Sequence, residues 1–319
     1  MDIEGIITRE QLFENMKERL SNVDRHLLKK KIRGFRKYAR NNETDIFNQK
    51  GVQICARGPF NITGLDGSGK SNLSEGLKYG VSCTGYPLVY LDENEGEDQQ
   101  FKDARQKLKK NPNNNPLNEL DAKNISRRMH LDNCWQIYAN GHMTIFRERC
   151  YLDTIEGYIR RYHKDMSLIG TEKSQALKVL TSSRFTDNEV NSFYNSTNWL
   201  LIQKIDQTYI RGKTIFLYVP YEVAWERKLK DSGESRKIED REHPEYLERG
   251  FWANNLIMLA AEDTFIVDAT RSREEVLKTT VDIMESFNNE GAYGSYKLDL
   301  NAAKDMWKKR DEERGIVSL

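Results

Sequence analysis

Residues 64–71 read Gly64-Leu65-Asp66-Gly67-Ser68-Gly69-Lys70-Ser71, a G-x-x-x-x-G-K-S spacing that constrains the surrounding chain more than any other stretch. Glycines at these positions let consecutive backbone N–H groups turn inward around a polyphosphate, where a side chain would collide with it. Lys70 is then expected to reach the β- and γ-phosphates and Ser71 to offer its hydroxyl to Mg²⁺. Leu65, Ser68 and Asn72 complete the predicted cradle. Phe60 and Ile62 precede the loop in a short apolar run that ends as a strand would. After it, Leu73 and Leu77 stand four apart, which predicts a helix from Asn72 to Tyr79 with its positive end aimed at the phosphates. A strand before and a helix after separate this loop from an ordinary glycine-rich turn.

The 319-residue chain is long enough to bury a substantial core. A net charge of +1 gives no global electrostatic reason to expect nucleic acid or an anionic membrane as partner. No apolar run approaches the ~20 residues of a membrane span, and Met1 to Gly5 carries neither a charged nor an apolar leader region. A cytoplasmic protein without membrane contact is therefore expected. Cys55, Cys83, Cys134 and Cys150 form no C-x-x-C and fit reduced core residues better than zinc ligands or a disulfide framework.

Three regions are expected. Residues 1–52 read as a helical, basic N-terminal extension, with Leu12, Met16 and Leu20, then Leu27, Leu28, Ile32 and Phe35, at helical spacing. Its helix 24–40 carries Arg25, Lys29, Lys30, Lys31, Arg33, Arg36, Lys37 and Arg40. That face is either a solvated helix surface or a surface for DNA. Residues 53–287 form the core, with a lid at about 231–250. Residues 288–319 are a linker and one charged helix around 302–314, for which Met306 and Trp307 are the docking groups.

Within the core, Tyr86 to Leu91 reads as a buried strand closing on Asp92 and Glu93. Carboxylates at such a strand end lie on the edge where open α/β sheets bind ligands, so either is a candidate to accept a proton or hold a metal-bound water. Residues 121–139 read as a core-facing helix, and Met143 to Phe146 as a strand ending in Arg147-Glu148-Arg149. Glu148 is a candidate magnesium-site residue and Arg149 a candidate clamp on a phosphate. The alternative is an ordinary surface pair. From Tyr151 to Ile210 the pattern is mainly helical and rich in aromatics. Thr214 to Val219 is a strand, followed by a helix that Pro220 opens and that carries Arg227, a candidate donor-binding residue. Arg236 and Arg241 fall in a polar segment suited to a closing lid that brings positive charge to a transferring phosphoryl group, or to a solvated charged helix. Thr264 to Asp268 is the last strand, and Ser272 with Glu275 makes a capping box for the helix that follows.

Alternating strands and helices predict a parallel sheet with helices on both faces, a P-loop three-layer α/β/α fold. The loop from Gly64 to Ser71 resembles the phosphate loop of thymidylate kinases, which often carries an acid where Asp66 stands. Glu148-Arg149 sits where that family has Asp-Arg and where the related deoxynucleoside kinases have Glu-Arg. Arg236 to Leu247 resembles the superfamily's lid and Phe265 to Ala269 its final strand. Thr63 stands where the family has Glu and Asn72 where it has Thr, and the acidic run Asp92 to Asp98 replaces its Arg-Glu-Pro-Gly-Gly segment. The resemblance implies that Asp66 approaches the acceptor, that Arg149 holds the acceptor phosphate and that the lid arginines stabilise the transition state.

An ATP- and Mg²⁺-dependent phosphotransferase acting on a pyrimidine deoxynucleotide or deoxynucleoside is the first expectation, with a homodimer compatible with it. The second keeps the chemistry and moves the acceptor to a hydroxymethylated base within DNA, gripped by the basic helix and flipped into the site. The third is a nucleotide-dependent switch without a small acceptor.

Overall fold

A computed structural model of the chain describes residues 3–19, 60–84, 88–91, 144–149, 153, 213–232, 244–260, 264–287 and 295–313. The basic helix 24–40, Asp92 and Glu93, the helix expected at 121–139, the aromatic stretch 151–210 apart from Asp153, and Arg236 and Arg241 lie outside the described residues. In chain order the elements are β1 (Ile6–Ile7), α1 (Arg9–Arg19), β2 (Phe60–Gly64), α2 (Lys70–Gly80), β3 (Val81–Cys83), β4 (Leu88–Leu91) and β5 (Thr144–Glu148). They continue with β6 (Lys213–Tyr218), α3 (Tyr221–Ser232), α4 (Pro244–Ala260), β7 (Thr264–Asp268), α5 (Arg273–Ser286), β8 (Tyr296–Leu298) and α6 (Leu300–Glu313).

The fold is mixed α/β. Six strands form one sheet in the order β1-β7-β6-β2-β5-β4, parallel throughout except for β1, which runs antiparallel along β7. All five residues of β2 are buried, as a strand flanked on both sides in a parallel sheet should be. The register pairs Phe60 with Phe146 and Ile62 with Ile215, and the two phenylalanine rings stack at 5.6 Å. From β2 the chain goes on to β4, beyond β5, whereas from β6 it goes on to β7 on the opposite side. Neighbouring strands whose onward connections diverge leave a crevice at their carboxyl ends, and here the loop that ends β2 lies in it.

Side chains alternate across a strand. Phe60, Ile62, Ile215, Leu217 and Val267 join one buried cluster with Leu73 and Leu77 of α2, Leu277 and Met284 of α5, and Trp307 of α6. Each fully buried large side chain contributes about 1.5–3 kcal/mol, so this cluster is a firm base for the loop between β2 and α2. Tyr218 points to the other face, where its ring meets Phe251 of α4 at 5.9 Å. There α4 packs against α3 and α1, and Leu12 and Met16 of α1 are buried.

Both terminal stretches are built into this body. β1 adds an edge strand to the sheet, with Ile6 opposite Val267 and Ile7 opposite Ile266. β8 pairs with β3 in a separate two-stranded sheet, and α6 lies along α2. Pro244 opens α4 inside the stretch 231–250 expected to be a lid, and Leu247, Gly250, Phe251 and Trp252 are buried. Leu247 and Gly250 of that stretch therefore belong to a packed helix. Among the described residues no helix is long and apolar enough to cross a membrane.

Candidate functional site

The chain leaves β2 through glycines in backbone conformations that side chains resist. Gly67 has φ +85° and Gly69 φ +96°, both left-handed. A Cβ on Gly67 would lie 2.4 Å from the carbonyl oxygen of Ala224 in α3, so α3 closes directly over the loop. At Gly64, with φ +151°, a Cβ would meet the Ser68 hydroxyl at 2.7 Å and the Leu217 carbonyl oxygen at 2.8 Å. Ser68 N–H donates to Leu65 O at 2.9 Å and closes the turn. The Ser68 hydroxyl is buried and has no hydrogen-bond partner among the described residues. Gly69 caps α2 without a side-chain bond to the helix, and no acidic residue stands in its first turn. Among the described residues the first N–H groups of α2 thus face the loop without a side-chain cap.

Lys70 is buried, and its ammonium donates to the carbonyl oxygens of Gly64 and Leu65, each at 2.9 Å, and lies 3.5 Å from Asp66 Oδ1. Three acceptors match the three donors of a lysine, which makes burial of the charge tolerable. The ammonium is held inside the curve of the loop, close to the uncapped helix start.

Arg149 approaches from the neighbouring strand end. Its N–H donates to Ile62 O at 2.8 Å, extending the β2–β5 ladder by one residue. Arg149 is the non-glycine residue with positive φ, at 67°, among those described. That region costs an L-residue about 1–2 kcal/mol, and the turn brings the guanidinium back over the loop. There Nη2 donates to Asp66 Oδ1 at 3.2 Å and Nη1 lies 3.7 Å from Asp153 Oδ1. Asp153 is itself buried and accepts from the Thr63 hydroxyl at 2.7 Å. Lys70, Asp66, Arg149, Asp153 and Thr63 form one chain of contacts at the carboxyl ends of β2 and β5. Next to it, on the same face of β2, Arg147 Nε donates to Asn61 Oδ1 at 2.9 Å, both residues being buried.

Other predicted residues lie around this centre. Ser71 is exposed at the start of α2. Glu148 is half-buried at the end of β5 and accepts from the Tyr90 hydroxyl at 3.4 Å. Arg227, on α3, donates to Ala269 O at 2.8 Å, bridging α3 to the turn after β7. Asn72 receives Arg310 of α6 on its side-chain oxygen. Asp153 and Arg310 are the residues that sequence reasoning passes over. Asp153 has a local signal, because it stands four residues after Arg149, but nothing adjacent signals Arg310, which acts from 238 positions away.

No protein-family model and no curated protein matches this chain.

Proposed function

We propose that the chain is an ATP-dependent phosphotransferase of the P-loop α/β/α type, resembling thymidylate and deoxynucleoside kinases, that moves a γ-phosphate to a pyrimidine deoxynucleotide or deoxynucleoside in the cytoplasm. The observation that carries this reading is the buried Lys70 ammonium, held against the Gly64 and Leu65 carbonyls at the uncapped start of α2. A polyphosphate suits this cradle on three counts. Gly67 and Gly69 hold left-handed backbone that lets the loop turn inward, Gly69 offers the first helical N–H groups no side-chain cap, and the Ser68 hydroxyl is buried without a partner among the described residues. Ser71 and Glu148 are the residues that would hold Mg²⁺, which when bound supplies charge neutralisation on the phosphates.

In the reaction an acceptor oxygen bonds to the γ-phosphorus as the bond from that phosphorus to the β–γ bridging oxygen breaks, and ADP leaves with the electron pair. Where the acceptor is a hydroxyl, its proton passes to a carboxylate. Asp66 already accepts from Arg149 and neighbours Lys70, which suits it to orienting both cations. Asp92 and Glu93, which follow the last residue of β4, are the candidates for the proton. Lys70 serves the donor side and Arg149 the acceptor side, and Asp66 sets the separation between them. Arg227, next to the turn after β7, supports binding of the rest of the donor, and Arg236 and Arg241 are assigned to charge neutralisation during transfer.

The test is to incubate the protein with γ-labelled ATP and Mg²⁺ and to offer deoxynucleosides, their monophosphates, and DNA with and without 5-hydroxymethyluracil. Label on a pyrimidine deoxynucleoside or its monophosphate is the expected result. Label on the modified DNA alone would move the acceptor to a base in the polymer. Bound nucleotide with no acceptor labelled would favour a switch.

A further inference from the structure

Asn72 stands two residues after Lys70, and its side-chain amide lies between the phosphate loop and the C-terminal helix. On the helix side, Arg310 Nη2 donates to Asn72 Oδ1. On the loop side, a Cβ built on Gly69 would lie 3.9 Å from Asn72 Nδ2. An arginine side chain has donors only, so the amide must turn its oxygen toward Arg310 and its two N–H donors away from it. We infer that Arg310 is a positioning residue, which fixes the Asn72 amide so that its N–H donors face the phosphates of a nucleotide bound in the loop.

The surroundings of Arg310 are built to hold it still. Gly76 and Gly80 give α2 a flat strip, and a Cβ there would lie 2.7 Å from Trp307 Cζ2 and 2.7 Å from Ala303 Cβ respectively. α6 therefore lies closer to α2 than larger residues would allow. Trp307 Nε1 donates to the Asn72 carbonyl oxygen at 2.9 Å, which ties the backbone of the same residue to α6. The Arg310 side chain is only 11% exposed, its Nη1 donates to Glu75 of α2, and its Nη2 lies 3.4 Å from Asp311 Oδ1. Asp311 is in turn paired with Arg273 of α5 at 2.6 Å. Two carboxylates thus offset the buried charge, and the guanidinium meets Asn72 in one orientation.

This inference rests on the proposal that the loop binds nucleotide phosphates. Calorimetric titration with ADP, and with adenosine as the probe lacking phosphates, separates the two. Arg310→Gln leaves the amide free to turn, because glutamine both donates and accepts. It should weaken ADP binding about tenfold, the loss expected for one hydrogen bond to a charged group, and leave adenosine binding unchanged. In an Asn72→Ala background the same substitution should add nothing, since Arg310 acts through Asn72. Arg310→Lys keeps a donor and should retain most of the affinity. Lys304→Gln, which removes the Lys304–Glu274 ion pair between α6 and α5 without touching Arg310 or Asn72, should bind ADP as the wild type does. If Arg310→Gln fails to fold, Asn72→Asp takes its place, because it preserves an acceptor for Arg310 and removes the donors on the loop side; it should weaken ADP at least as much. Unchanged ADP affinity in Arg310→Gln or Asn72→Asp, or an equal loss in Lys304→Gln, would overturn the role of Arg310 alone. Failure of the wild type to bind ADP or ATP at all would overturn the nucleotide reading and this inference together.

Discussion

Arg149 leaves β5 with a positive φ so that its guanidinium can return to Asp66, and the buried pair of Thr63 and Asp153 holds it from behind. A charge-assisted contact is worth about 1.5–3 kcal/mol, so Asp153→Ala should raise the acceptor KM by about ten- to a hundredfold. The donor KM should stay near its wild-type value, because Lys70 keeps all three of its acceptors; initial rates at varied acceptor and varied ATP separate the two effects. Asp66→Asn, which weakens contacts to Arg149 and Lys70 at once, should lower kcat as well as raise both KM values. The loop and Arg149 were legible in the sequence because spacing and strand ends are local signals. The Thr63–Asp153 bond spans 90 positions, and neither residue belongs to a pattern that would announce the other. In the fold the Thr63 hydroxyl donates to a carboxylate that reaches it from a distant part of the chain.

At the scale of elements, α5 was legible from its capping box and periodicity, whereas α4, the longest described helix, and the short strands were not. The capping box at Ser272 and Glu275 is present with both reciprocal bonds, and α5 follows it to Ser286. By contrast, the two-residue β1 and three-residue β3 and β8 are too short to show periodicity, and they form because partners distant in sequence complete their ladders. The α2–α6 contact gives a test in which two effects oppose. Replacing a helical glycine with alanine gains about 1 kcal/mol of helix propensity, whereas forcing a methyl into a packed contact costs about 1–3 kcal/mol. At Gly80 the methyl would meet the Asp299 carbonyl oxygen at 3.0 Å as well as Ala303, so overpacking should win. Gly80→Ala is expected to lower the thermal midpoint, as followed by circular dichroism.

Acid should loosen the start of α5. Hydrogen bonds from Ser272 hold the Glu275 carboxyl below its ordinary value of 4.5, and a backbone hydrogen bond does the same for Glu274. Groups depressed in the folded state contribute stability that is fully present above their unfolded value. That contribution is lost as the pH falls below about 4.5 and through their folded values. A Ser272→Ala variant removes the cap and should flatten this part of the stability-versus-pH curve, measured by urea unfolding between neutral and acid pH.

For the whole molecule, the sheet order places the loop-bearing strand between two neighbours, and both terminal segments are tied to the same body. The N-terminal stretch closes the edge of the sheet at β7, where Gly5 O accepts from Asp268 N–H at 2.9 Å and Glu4 pairs with Arg271 at 2.5 Å. The C-terminal helix lies on α2, the helix that begins with Lys70. Read along the sequence, these stretches are additions flanking a core, because nothing local shows which surface they cover. In the fold one lies along the edge of the sheet at β7 and the other along α2. Transfer of labelled γ-phosphate by the wild type and by Lys70→Ala, under single-turnover conditions with the acceptor that takes the label, tests the central claim. The account predicts that the variant keeps its helix content and loses about a thousandfold in transfer rate. Equal rates for the two proteins would contradict it.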